Sequence, residues 1–176
     1  MASEVTEGIE VPWEEGAQLI NECTYLFATE IRELEELTLG VTIIEAKAQS
    51  PIANTEEDSR PLARLKLGGR PIEQDDTSRV FNLVFDRNHM ISYLVSNESY
   101  GKYPEPPEEF TGKLFRRFSH SHLLEFTRRT SYATDEYPGV LMHFEIACLN
   151  HIVDVICTAP PMISVGNSSS KPTVVN

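Results

Sequence analysis

The chain has 176 residues, enough for one domain of ordinary size and short of two comfortable ones. With 40% hydrophobic and 24% charged residues it has the composition of a globular protein, which excludes fibrous, collagen-like and wholly disordered chains. The formal net charge of −12 sets it against nucleic-acid phosphates, and no apolar run approaches the roughly 18 residues of a membrane-spanning helix. Nucleic acid and membrane are therefore not expected as partners.

The charge is unevenly spread. Residues 1–40 hold ten glutamates against Arg32 alone, so nine of the twelve excess negative charges lie there. Residues 113–129 run the other way, with Lys113, Arg116, Arg117, Arg128 and Arg129 opposed only by Glu125. The opening MASEVTEGIEV is acidic where a signal peptide would be basic and apolar, so a cytoplasmic location is expected. Three cysteines, an odd number and widely spaced, make no disulfide framework.

Residues 1–11 read as a loose polar lead-in. Pro12 suits the first turn of a helix, and Glu14 and Glu15 favour its positive end. Leu19, Ile20, Cys23, Leu26, Phe27, Ile31, Leu34 and Leu37 follow in steps of mostly three and four, which predicts one long helix ending near Gly40. On that helix Glu15, Glu22, Glu33 and Glu36 would share the opposite side, an exposed acidic ridge.

From residue 41 the period changes. Val41–Gln49 reads as a strand, 50–61 as a loop, Leu62–Leu67 as a short strand and 72–78 as polar loop. The run 79–95 reads as a hairpin turning at Arg87-Asn88, apolar on both faces and so expected in the centre of its sheet. Asn97–Glu109 is a proline-rich irregular loop, and Phe110–Phe118 another strand. A short helix capped by Ser119 or Ser121 should run to about Thr130. Residues 134–139 form a turn, and 140–158 a final hairpin turning at Asn150-His151. The tail 161–176 reads as too polar to pack.

The expected architecture is α+β: a mostly antiparallel sheet of about six or seven strands, with a long N-terminal helix and a second short helix packed on it, in one domain over 12–160.

Chemistry is sparse. In the final hairpin Met142, Phe144, Ile146, Cys148, Val153, Val155 and Cys157 share a core face, while His143, Glu145 and Asp154 share the other. Those three could orient a substrate or relay a proton, but such triples are common on antiparallel strands, and ordinary polar residues of a half-exposed strand are the favoured reading. The pair His120-x-His122 could hold a metal only if both sat on one strand, and the predicted helix start separates them, so no metal is expected. No nucleophile elbow, phosphate loop or other cofactor-binding motif occurs, so no cofactor is expected. Cys23 and Cys148 fall on core faces, as does Trp13. Tyr100 and Tyr103 on the irregular loop offer contact area at small entropic cost.

The leading functional expectation is an interaction or immunity-type module that binds a basic protein through Glu15, Glu22, Glu33, Glu36, Tyr100 and Tyr103. The alternatives are a small enzyme or ligand-binding domain that takes an anionic molecule with Arg116, Arg117 or Arg128, its pocket between the second helix and the final hairpin, and a protein that self-associates through the apolar 79–95 segment.

Overall fold

A computed structural model gives residues 8–48, 72–75 and 77–168 of the chain. The described elements run β1 (Ile9–Val11), α1 (Trp13–Glu22), β2 (Tyr25–Glu35), β3 (Thr38–Ala48), β4 (Ile72–Glu73), β5 (Arg79–Phe85), β6 (Met90–Asn97), a 3-10 turn (Glu98–Tyr100), β7 (Glu109–Thr111), β8 (Phe115–His120), α2 (His122–Thr130), β9 (Met142–Ala147), β10 (His151–Cys157) and β11 (Met162–Asn167). The fold is mostly antiparallel β with two helices, and the strands form two sheets rather than the single one expected. The first has the order β1-β11-β5-β3-β2 with β4 also paired to β3; the second has the order β6-β10-β9-β8-β7. No described helix is long and apolar enough to cross a membrane.

The sheets lie face to face. Leu39, Val41, Ile43, Phe81, Leu83 and Phe85 of the first share one core cluster with Phe115, Phe144, Ile146, Val153, Val155 and Cys157 of the second. Phe144 is the hub: Phe115 stacks on it at 5.4 Å, Phe85 meets it at 6.4 Å, and Trp13 of α1 presents an edge at 6.1 Å. Fully buried side chains such as Phe85 and Phe144 each contribute about 1.5–3 kcal/mol through removal from water. Helix α1 contacts β11 and β8, one strand from each sheet, and adds Ile20 to the core.

The long N-terminal helix does not exist: α1 ends at Glu22, Cys23 turns to an extended conformation, and residues 25–35 pair with β3 as a strand. Two bulges, between Ala28 and Glu30 and between Glu33 and Glu35, break the alternation of β2 and let it imitate helical spacing. Gly40, the expected stop, lies inside β3. The true turn is at Glu36-Leu37, where Leu37 adopts φ 59°.

Three other departures matter. The segments β5 and β6 are not a hairpin: β5 pairs with β3 and β11, β6 with β10, and the chain arches between sheets. In the arch, Asp86 accepts the backbone N–H of His89 and Met90 on its carbonyl and that of Asn88 on its side chain. Only β5 is central; β6 is an edge strand. The lead-in contributes β1 and the tail contributes β11, which seats buried Ile163 between β1 and β5. Finally, 110–118 holds two strands separated at Gly112, whose φ of 92° and a carbonyl 2.1 Å from any added Cβ require glycine. The strand expected at Leu62–Leu67, like the loop 50–61, lies outside the described residues. The second helix, capped by Ser121, is where the sequence put it.

Candidate functional site

The outer face of the second sheet gathers most of the buried polar groups. The three adjacent strands β8, β9 and β10 align Arg116, Glu145 and Asp154 in one row, and Phe118, His143 and Ile156 in the next. The core and polar faces of the last hairpin are those read from its alternation. Its register differs by two residues, because the turn lies at Leu149-Asn150 rather than at Asn150-His151; Asp154 therefore opposes Glu145.

Glu145 is buried and forms an ion pair with Arg116, whose guanidinium lies over Tyr103 at 4.8 Å and Phe110 at 5.4 Å. Burial pushes the Glu145 carboxyl above its ordinary range, and the Asp154 charge adds to the rise against the opposing pull of Arg116 and His143.

His143 is buried and stacked on Phe118 at 4.3 Å. Its Nδ1 lies 2.8 Å from Ser121 Oγ and its Nε2 lies 3.0 Å from Asp154 Oδ1. A Ser-His-Asp series invites a hydrolase reading, and the geometry refuses it. Ser121 has no exposed surface, and its Oγ accepts the Leu124 backbone N–H as the N-cap of α2. Ser121 Oγ thus joins the α2 cap to one imidazole nitrogen while Asp154 holds the other. The series clamps α2 onto the sheet, filling the place where the sequence suggested a pocket between helix and hairpin.

Beside this network the irregular loop crosses the sheet as a strap. Asn97 caps the 3-10 turn by accepting Ser99 N–H, and Gly101 presses onto Ile152 so closely that a Cβ would sit 2.2 Å from Ile152 Cδ1. One cleft of about 400 Å³ is lined by Ser96, Asn97, Tyr100, Gly101, Lys102, Glu145, Ile152 and Asp154. A second, of about 290 Å³, lies where Arg116, Lys102, Tyr103 and Tyr25 meet.

The other candidates do not converge. Glu15 and Glu22 are exposed on α1, Glu33 on β2 and Glu36 in the following turn, so they form no helical ridge. Glu22 pairs with Arg79 at 3.5 Å. Arg117 stacks over Trp13 at 5.7 Å, away from Arg116, and Arg128 pairs with Asp135 at 3.5 Å. His120 ends β8 beside Glu125 and His122 opens α2. Among the described residues no group of three or more His, Cys, Asp or Glu could hold a metal ion.

A surface that the sequence placed inside the apolar 79–95 segment, as half of a central hairpin, is the free edge of β6. Among the described residues this strand hydrogen-bonds along its backbone only to β10, and its eight residues carry no charge. Tyr93, Leu94 and Val95 are 40%, 50% and 38% exposed. Leu94 and Phe126 of α2 border an apolar groove of about 290 Å³. The other sheet edges are guarded: β1 and β7 are three residues long, each with a glutamate, and β2 carries two bulges with Glu30, Arg32, Glu33 and Glu35. The signal was in the sequence, since MISYLVSN lacks any charge, but reading it as half of a central hairpin hid it.

No family model, curated protein or solved structure matches the chain.

Proposed function

We propose that the protein is an interaction module that binds a basic protein partner by accepting a strand along β6. One observation carries the reading: an uncharged, exposed edge strand stands beside the acidic tip of the β2–β3 hairpin. Tyr93 OH donates to Glu33 at 3.4 Å, which joins the two surfaces. Glu33, Glu35 and Glu36 are exposed around that tip with Leu34 and Leu37. An apolar centre with an anionic rim suits a partner strand whose apolar residues meet Leu94 and whose lysines or arginines meet the glutamates. Complementary charge speeds the encounter, and backbone pairing slows release. A second copy of the chain is the less favoured occupant, because it brings twelve excess negative charges of its own.

The test is capture from the source cells with wild-type, Leu94→Lys and Glu33/Glu35/Glu36→Gln baits, followed by binding kinetics on the captured protein. A basic partner is expected, lost at high salt. The triple variant should slow association by about tenfold, and Leu94→Lys should chiefly speed dissociation. A partner that binds both variants as it binds the wild type, or a captured protein with no basic excess, refutes the reading. Sedimentation of the purified chain distinguishes self-association.

A further inference from the structure

We infer that the groove between β6 and α2 seats one aromatic side chain of the incoming strand, and that lysine or arginine flanks that aromatic on both sides in the partner's sequence. The inference rests on strand addition at β6 and names the residue pattern which that edge selects. The register of β6 on β10 divides its side chains between two faces. Ser92, Leu94 and Ser96 lie opposite Ile156, Asp154 and Ile152, on the outer face where Ile156 packs with Leu124 of α2. Tyr93 and Val95 lie opposite Val155 and Val153 of the core and project toward the first sheet, where Tyr93 OH reaches Glu33 of β2. A strand paired to β6 keeps this parity whichever way it runs, so its residues alternate between the groove and the glutamates.

The two sides ask for different chemistry. Ser92 and Leu94 floor the groove, Leu123, Phe126, Thr127 and Thr130 of α2 wall it, and no described residue lining it is charged. Every one of them belongs to β6 or to α2 and its C-cap, so the flank along the free edge of β6 is the one an added strand supplies. The groove holds about 290 Å³, against the roughly 150 Å³ that accommodates a benzene ring. Phe126, 61% exposed, offers a ring for aromatic contact. A lysine on this side would find no carboxylate in the lining and would approach the helix end that carries Arg128 and Arg129. On the other side the order reverses: Glu33 lies at Tyr93, and exposed Glu35 and Glu36 continue the same hairpin tip, so cations opposite Tyr93 and Val95 meet opposite charge.

The test is amide NMR titration of the full chain with short acetylated, amidated peptides in which lysine alternates with threonine. The central threonine is replaced by Phe, Leu or Ala, and a further peptide has the Phe composition with its lysines made consecutive. The Phe peptide should shift the β6 amides and bind about tenfold more tightly than the Ala peptide, and consecutive lysines should cost about tenfold. Phe126→Ala removes a wall and Ser92→Phe fills the groove; each should bring the Phe and Ala peptides to the same affinity while shifts along β6 persist. Both positions are exposed, so the fold tolerates either change. Binding along β6 without preference for Phe over Ala, without preference for alternation, or with a Phe preference that survives both variants overturns the inference and leaves strand addition standing. If no peptide shifts the β6 amides, strand addition falls with it.

Discussion

Replacing Ser121 with alanine separates a structural serine from a nucleophilic one. The hydroxyl accepts Leu124 N–H at 3.1 Å and bonds His143 Nδ1 at 2.8 Å, both in a site closed to water. Loss of a serine N-cap costs about 0.5–2 kcal/mol. Leaving a buried imidazole nitrogen without its partner costs about 1–3 kcal/mol more. The sum, about 1.5–5 kcal/mol, corresponds to a fall in Tm of about 3–20 °C for a chain of this size. Urea unfolding followed by circular dichroism measures it. In a His143→Phe background the orphaned nitrogen is gone, so Ser121→Ala should then cost only the cap, and the double-mutant cycle should return a coupling of about 1–3 kcal/mol. A cost below about 0.5 kcal/mol in the wild-type background would refute the clamp. So would an activated ester that acylates Ser121 in the native protein.

Two further predictions concern groups the folded chain encloses. Although burial pushes the Glu45 carboxyl up, its hydrogen bonds from Arg79, at 3.0 and 3.2 Å, hold it below the usual carboxylate range. Glu45 therefore stabilises the fold above its unfolded pKa of about 4.3 and loses that contribution as pH falls through the lowered native value. Glu45→Gln should flatten the acid limb of the stability profile measured by denaturant titration, and an unchanged limb contradicts the pairing. Burial pushes the thiol of Cys23 up to about 11 and those of Cys148 and Cys157 up to about 12. None should alkylate in native protein at neutral pH, and all should do so in denaturant, as read by mass spectrometry; modification of any one in the native state at the rate of a free thiol contradicts the packing.

What the sequence disclosed depends on which physics was local. The α2 cap, the irregular strap and the two faces of β9–β10 follow from cap chemistry, proline content and alternation, and all were legible. The segment 23–37 was not, because Leu26, Phe27, Ile31 and Leu34 satisfy a helical step as well as a bulged strand does. The choice is made by β3, whose Val41, Ile43 and neighbouring residues offer a full-length partner. The arch from β5 to β6 was hidden for a similar reason. Two apolar runs joined by three turn-forming residues suit an in-plane hairpin and a crossing between sheets equally, until β11 arrives from the far end of the chain to occupy the second edge of β5.

The candidate site turns on one residue whose role no local pattern reveals. Asn150 donates from Nδ2 to the Ala28 carbonyl at 2.9 Å and accepts the Ala28 N–H on Oδ1 at 3.0 Å, acting as a strand partner for β2. Held there, it sits in a turn at Leu149-Asn150 closed by Cys148 N–H on the His151 carbonyl at 2.9 Å, one position earlier than Asn150-His151. The pairing then moves by two positions without exchanging faces. Asp154, which a turn at Asn150-His151 would have set beside Ala147, instead faces Glu145. Two like charges directly opposed are unfavourable, and a pair partly withdrawn from water more so. Arg116 on the next strand pairs with Glu145, and His143 on the same strand as Glu145 meets Asp154, which lines the cleft. The parity of the strands placed the right residues on the right face, but the register that sets Asp154 against Glu145 is fixed by Asn150 bonding Ala28, 122 residues away in sequence.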